Sequence, residues 1–372
     1  MADQFTEIRR VSYFDNIKKS FGGMIFGFIL FLASFVLLWW NEGNRVSLSQ
    51  KEDLISEKTI VLSSPIINRE NDNALVMISG PVYSNETLSD PMISVNNALN
   101  LKRDVEMYQW VEKKNTKKHN SFGGSTTEIT NYSYQKMWDK EEHNSDNFHM
   151  AEYQNPKFTI RSKLISSNTA IMGDFIIRQH QISKIENYRQ IDKLTENKNY
   201  SIVDNYYYKG KDASAPEIGD IRISYTYVPS GVSVSIIGQQ NQDNSITISK
   251  NEKIYLQYDG DYSLDEMLNK YKTENQLLTF GLRFVGWLIM FIGLLLLVNP
   301  IVTISKFIPF LSSIIGFISS FFLLILSLEL SLVTIAVAWL TYRPVIAIIL
   351  FAFIFGILYY FRKYLSKKKA TL

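Results

Sequence analysis

The chain has 372 residues, 46% of them hydrophobic and 20% charged, with a formal net charge of +3. It contains no cysteine, which excludes a disulfide framework, a thiolate nucleophile and Cys-ligated zinc or iron–sulfur sites. The small net charge, with no basic stripe interleaved with aromatics, argues against nucleic acid as a partner.

That average hides a segregation into an apolar N-terminal block, a polar middle rich in Tyr and Asn, and an apolar C-terminal block. Residues 1–21 carry Arg9, Arg10, Lys18 and Lys19, and from Gly22 to Trp40 there is no charged residue. The uncharged run of 22–40 is close to the ~20 residues that cross a ~30 Å hydrocarbon core. It is long for a signal peptide and no A-x-A-like site follows it, so it reads as transmembrane helix 1. Trp39 and Trp40 stand where an interfacial aromatic belt belongs, and the positive-inside rule puts 1–21 in the cytosol and Asn41 onward outside.

Residues 41–280 read as one β-rich, non-cytosolic domain of α+β type. Its main signal is alternation with period two. Ile221, Ile223, Tyr225 and Tyr227 alternate with Arg222, Ser224 and Thr226, and Pro229 to Gly231 then turn the chain into Val232, Val234 and Ile236, the pattern of a β-hairpin. Arg103 to Lys114 and Thr127 to Trp138 read as a second strand pair, joined by a loop over 115–125. Ala74 to Tyr83 and Ala170 to Gln179 are further strand candidates. Ile185, Tyr188, Ile191 and Leu194 suggest a surface helix over Ser183 to Leu194. Ser263 with Glu266 three residues on is a capping box, and the helix it opens is expected to run on into the next span, coupling domain and bundle.

The C-terminal block closes the architecture. Transmembrane helix 2 is expected over 281–300, a short cytosolic connector over 301–309, helix 3 over 310–341, helix 4 over 344–361 and a basic cytosolic tail over 362–372. The tail and the N-terminus then share the cytosolic side, which requires an even number of crossings: four spans in all. A turn at Thr341 to Pro344 sets Trp339, Tyr342 and Arg343 at the interface and leaves Glu329 as an intramembrane polar site. A turn at Glu329 would instead strand Arg343 near mid-bilayer, at ~2.5–3.5 kcal/mol. Gly23 and Gly27 form a GxxxG suited to close helix contact.

Few residues point to chemistry. His143, Asp146 and His149, at spacings of three, are a weak metal-ligand candidate. Phe122 to Ser125 lacks the spacing of a phosphate loop, and neither a G-x-S-x-G elbow nor an H-E-x-x-H pair occurs. Asn85, Asn131 and Asn199 head glycosylation sequons. No catalytic residue, cofactor or enzymatic activity is expected.

Several stretches, taken together, resemble the transmembrane protein 43 family, also called LUMA. They are "LWWNEGNRV", "ALNLKRDVEMYQWVE", the Tyr-rich strand ending in Trp138, Asn155-Pro156, "PEIGDIRISYTYVPSG" and "AWLTYRP". The resemblance implies one span, a large luminal domain and three closing spans, and it transfers no catalytic residues. In eukaryotes the family resides in the endoplasmic reticulum and inner nuclear membrane and is linked to nuclear-envelope organisation, lamins and emerin; bacterial relatives would place it in an inner membrane with a periplasmic domain. The expected role is a membrane scaffold or organiser, with membrane lipids and other membrane proteins as partners and self-association as an option. The alternatives are a membrane-anchored enzyme or maturation factor, and a proton-coupled sensor or transporter using Glu329.

Overall fold

The computed structural model describes residues 3–307, 309–344 and 348. It divides into a β unit, residues 1–8, 51–117 and 129–270, and a helix unit, residues 9–50, 118–128 and 271–372.

The β unit is built on two sheets, whose long strands pair antiparallel where Leu75–Val82 meets Val232–Gln240 and Ala98–Asn120 meets Ile221–Pro229, while Ile60–Val61 adds to the smaller sheet in parallel. The larger, eight-stranded sheet includes β1 (Asp3–Val11), β3 (Ala98–Asn120), β4 (Thr126–Asp139), β5 (Tyr206–Lys209) and β6 (Ile221–Pro229), in the order β1-β4-β3-β6-β5. The smaller, five-stranded sheet pairs β2 (Leu75–Val82) with β7 (Val232–Gln240), which also pairs with β8 (Leu256–Asp259). The alternation of apolar and polar residues along these strands fills two cores. Val76, Ile78, Phe175, Val234 and Ile236 pack in one, and Leu101, Val105, Tyr207, Ile223 and Tyr225 in the other.

Three local expectations are corrected. The stretch from Ile221 to Ile236 is not a hairpin: β6 pairs with β3, while β7 pairs with β2 in the other sheet. Pro229 has no N–H to continue the ladder, and Gly231, at φ +89°, turns the chain and donates its N–H to Val82 O. "PSG" is therefore a corner between sheets. Ala170 to Gln179 is two short strands paired through a tight turn at Gly173-Asp174, not one strand. Ser183 to Leu194 is not a helix. One helical turn ends at Ile182, and Arg189–Gln190 pairs with β6. Ile185, Ile191 and Leu194 are nevertheless buried, in the two cores, so their spacing marks anchors of an irregular segment.

The helix unit holds most of α1 (Tyr13–Lys58), α2 (Leu264–Ser305) and α3 (Pro309–Tyr342). Three described helices are long and apolar enough to cross a membrane, Tyr13–Lys58, Leu264–Ser305 and Ser319–Tyr342. Four were expected; 344–361 and the tail 362–372 lie almost wholly outside the described residues. At 46 residues α1 is about 69 Å long at 1.5 Å per residue, well beyond the 22–40 core of the expected span. The capping box at the start of α2 is formed, with Ser263 N donating to Glu266 Oε2 at 2.8 Å and Glu266 N to Ser263 Oγ at 3.3 Å. α2 then runs unbroken through the expected second span.

Gly27 of α1 and Gly293 of α2 let the two backbones meet: a Cβ on Gly27 would lie 2.8 Å from Gly293 O and 2.5 Å from Leu296 Cβ. The GxxxG pattern thus serves a contact within the chain at Gly27, while Gly23 keeps ordinary distance from Leu296. Around them Leu38, Met290, Leu294 and Leu323 form the buried core of the unit.

Two placements bring segments far apart in the chain into one unit. Asp3–Ile8 is part of the β unit, as the edge of the larger sheet, with Thr6 Oγ1 donating to Asn131 Oδ1 at 2.9 Å. The loop between β3 and β4 belongs to the helix unit. Gly123 N donates to Phe307 O at 3.1 Å, and Asn16 Nδ2 donates to Gly124 O at 3.2 Å.

Candidate functional site: a polar clamp between apolar helices

α1 leaves its apolar run without a break through Trp39, Trp40, Asn41, Glu42 and Gly43. Each of these side chains meets a different need. Glu42 is almost wholly buried, at 2% exposure, and accepts two hydrogen bonds from Arg283 of α2, from Nε at 2.7 Å and from Nη2 at 2.9 Å. This fork-to-fork geometry is the strongest form of carboxylate pairing. It satisfies a charge that would otherwise be costly to bury. The Arg283 guanidinium also sits 5.3 Å from the centre of the Phe280 ring.

One residue earlier, Asn41 is fully buried and donates from Nδ2 to Thr279 O at 3.1 Å. Thr279 in turn donates to Asn275 O at 2.7 Å, the i−4 bond open to a threonine in a helix. Asn41 Oδ1 and Asn275 Nδ2 are buried with no hydrogen-bond partner among the described residues. One residue later, Gly43 makes room for α3: a Cβ there would lie 2.6 Å from the Tyr342 ring. Trp39 packs against the same ring, with centroids 6.2 Å apart. Phe35, Val36, Trp39, Trp40 and Tyr342 line an apolar cleft of about 430 Å³. Just past the end of α3, Arg343 lies over the Trp339 ring at 4.9 Å.

The arrangement joins three helices through a charge pair, an amide and an aromatic contact. Both carboxylate oxygens of Glu42 are engaged by Arg283, so the clamp fixes position. The two stretches "LWWNEG" and "AWLTYR", nearly 300 residues apart in the chain, meet in it through Gly43, Trp39 and Tyr342.

Residues 107–344 match the family model described as Transmembrane protein 43. The chain belongs to the transmembrane protein 43 family. It is 30% identical over 359 residues to Transmembrane protein 43 of Homo sapiens, covering 91% of this chain and 89% of that one. The Mus musculus protein is 31% identical over 354 residues, with 89% and 87% covered. The Transmembrane protein 43 homolog of Drosophila melanogaster is 28% identical over 291 residues, with 74% and 76% covered. No solved structure matches. Membership in the transmembrane protein 43 family and the apolar helices together make this an integral membrane protein.

The other singled-out residues go elsewhere. His143, Asp146 and His149 do not assemble. His143 Nε2 pairs with Asp139 Oδ2 at 2.8 Å, Asp146 sits in a helical turn, and the His149 ring stacks on Tyr132 at 4.1 Å. The His143 hydrogen bond holds Asp139 below the usual carboxylate range. Among the described residues no group of three or more His, Cys, Asp and Glu side chains could hold a metal. Glu329 lies within α3, exposed, and forms no hydrogen bond or ion pair with another described residue. A closed polar cluster does exist in the β unit. Asp90 Oδ2 accepts from Arg103 Nη1 at 2.6 Å and from Tyr225 Oη at 2.5 Å, with only 2% of the Asp90 side chain exposed. Burial pushes the Tyr225 hydroxyl above its ordinary value, and the hydrogen bond to Asp90 adds to this.

The Glu42–Arg283 pair was missed in the sequence. A signal was there: an acid just after one apolar run and a base just before the next, at matching depth on two helices of opposite direction.

Proposed function

We propose that this transmembrane protein 43 family member is a membrane scaffold that organises membrane proteins around its β unit. The observation that carries the reading is the clamp. A buried bidentate ion pair, a buried amide and a glycine-to-tyrosine contact lock three helices together, and every carboxylate oxygen in it is spent on another helix. Such a device holds parts in place. The buried Asp90–Arg103–Tyr225 cluster suits the same reading, because its groups satisfy one another away from solvent.

Partners of this kind are other integral membrane proteins, and the expected compartment is an endomembrane or a bacterial inner membrane. Proximity crosslinking in the native membrane tests it. Recurrent membrane-protein neighbours that are lost when Glu42→Gln loosens the clamp would support the scaffold. An unchanged neighbour set, or none, would contradict it.

A further inference from the structure

The start of α1 carries a feature that the clamp does not use. Arg9, Arg10, Val11, Asp15, Lys18 and Lys19 line a cleft of about 480 Å³. Four of the six are cations, and none of the four lies within ion-pairing distance of a described carboxylate. The acids nearby are engaged elsewhere. Asp15 accepts from Ser12 Oγ at 2.7 Å, and Glu128 pairs with Lys118 at 3.0 Å. Lys118 holds Glu128 below the usual carboxylate range, and the fields of Lys19 and Arg9 add to this. The cleft thus sets four cations against one lining carboxylate, Asp15, and carries an excess of positive charge.

A second observation says what kind of anion fits. Phe14, Phe21, Ile25, Phe28, Ile29 and Leu32 are exposed, and at 100° per residue all fall on one face of α1. Lys18 stands on that same face, between Phe14 and Phe21. From Phe21 to Leu32 the helix rises about 16 Å, slightly more than half of a ~30 Å hydrocarbon core. The surface therefore runs from a basic cleft straight into an apolar lane one leaflet deep. Free phosphate would use the first part only, whereas a phospholipid uses both.

We propose that this cleft seats the headgroup of an anionic phospholipid, with its acyl chains along Phe21, Ile25, Phe28 and Leu32. Basic pockets beside membrane helices bind such headgroups through charge-assisted hydrogen bonds. The lipid would occupy the leaflet in which α1 begins. Bound there, it would neutralise cations that no described carboxylate pairs.

The test uses the full chain in detergent micelles, titrated with phosphatidylglycerol or phosphatidylcholine and read by native mass spectrometry as lipid retained per protein. Retention of phosphatidylglycerol but not phosphatidylcholine is expected, falling with added salt. At about 1 kcal/mol per cation near an anionic surface, Lys18→Gln with Lys19→Gln should weaken phosphatidylglycerol roughly thirtyfold. Lys18→Arg with Lys19→Arg should keep it. Arg9→Gln with Arg10→Gln gives the same reading should the lysine variant fail to fold. Undiminished retention in both neutralised variants would overturn the proposal. So would equal binding of phosphatidylcholine, or full displacement of phosphatidylglycerol by millimolar inorganic phosphate, which would make a soluble anion the ligand.

Discussion

Glu42→Gln isolates what the clamp contributes. The side chain keeps its shape and one acceptor oxygen, so packing against α2 is preserved and the charge is lost. Arg283 then remains beside a buried position without its counter-ion. Removing one partner of a buried pair costs about 3–5 kcal/mol. Arg283 is 28% exposed and can turn part of its guanidinium to water, which sets the expectation at the lower end, about 3 kcal/mol. That is a change of roughly a hundredfold in the unfolding equilibrium and a large share of the ~5–15 kcal/mol that holds a typical fold. Denaturant unfolding in mixed micelles measures it. The double-mutant cycle with Arg283→Gln separates the pair from its surroundings. The double variant should be little worse than either single one, with a coupling of at least ~1.5 kcal/mol. Additive losses, with a coupling under ~0.5 kcal/mol, would refute the claim that these two charges hold α1 to α2.

Three further outcomes follow from particular contacts. Gly27→Leu should force α1 and α2 apart, because its Cβ alone would meet Leu296 Cβ at 2.5 Å; a loss of a few kcal/mol is expected, while Gly22→Leu, with nothing within 4 Å, should be near neutral in the same unfolding assay. Asp259 of β8 accepts from Glu186 N at 2.7 Å, and burial raises its carboxyl above the usual range, with the Glu186 charge adding. The folded state therefore holds that proton to higher pH than the unfolded one, and the stability it contributes is lost as pH rises through the raised value. The melting-temperature gap favouring Asp259→Asn should widen from about pH 4 to pH 7, and a constant gap would show that the carboxyl is not perturbed. In a chain without cysteine, Thr6→Cys with Asn131→Cys should form a disulfide in the intact membrane, since the two native side chains are 2.9 Å apart. Free thiols under oxidation would mean that β1 is not paired with β4 there.

The parts of this fold that were legible in the sequence are those decided by neighbours along the chain. The uncharged run before Asn41 lies in a helix, and the capping box at Ser263 opens one. Arg103 to Lys114 and Thr127 to Trp138 are adjacent strands, because local alternation and capping carry those signals. What stayed hidden depends on distant partners. Ile221 to Ile236 has hairpin alternation on both sides of "PSG", yet the pairing of β7 with β2 decides its sheet. Ile185, Ile191 and Leu194 have helical spacing, but their burial in two different cores wins over propensity. The clamp is half visible: Trp39, Trp40 and Tyr342 each read as interface residues of their own span, whereas Glu42 and Arg283 read as ordinary flanking charges. His143, Asp146 and His149 shared a spacing and not a site, because each found a nearer partner in Asp139, a turn or Tyr132.

The most direct measurement of the scaffold reading is the mass of the complex extracted gently from its native membrane, compared between the natural chain and Glu42→Gln. The scaffold account predicts an assembly several times the 43.0 kDa of one chain that contains other membrane proteins, and that dissociates in the variant. A lone chain of about 43.0 kDa in the native extract would contradict it.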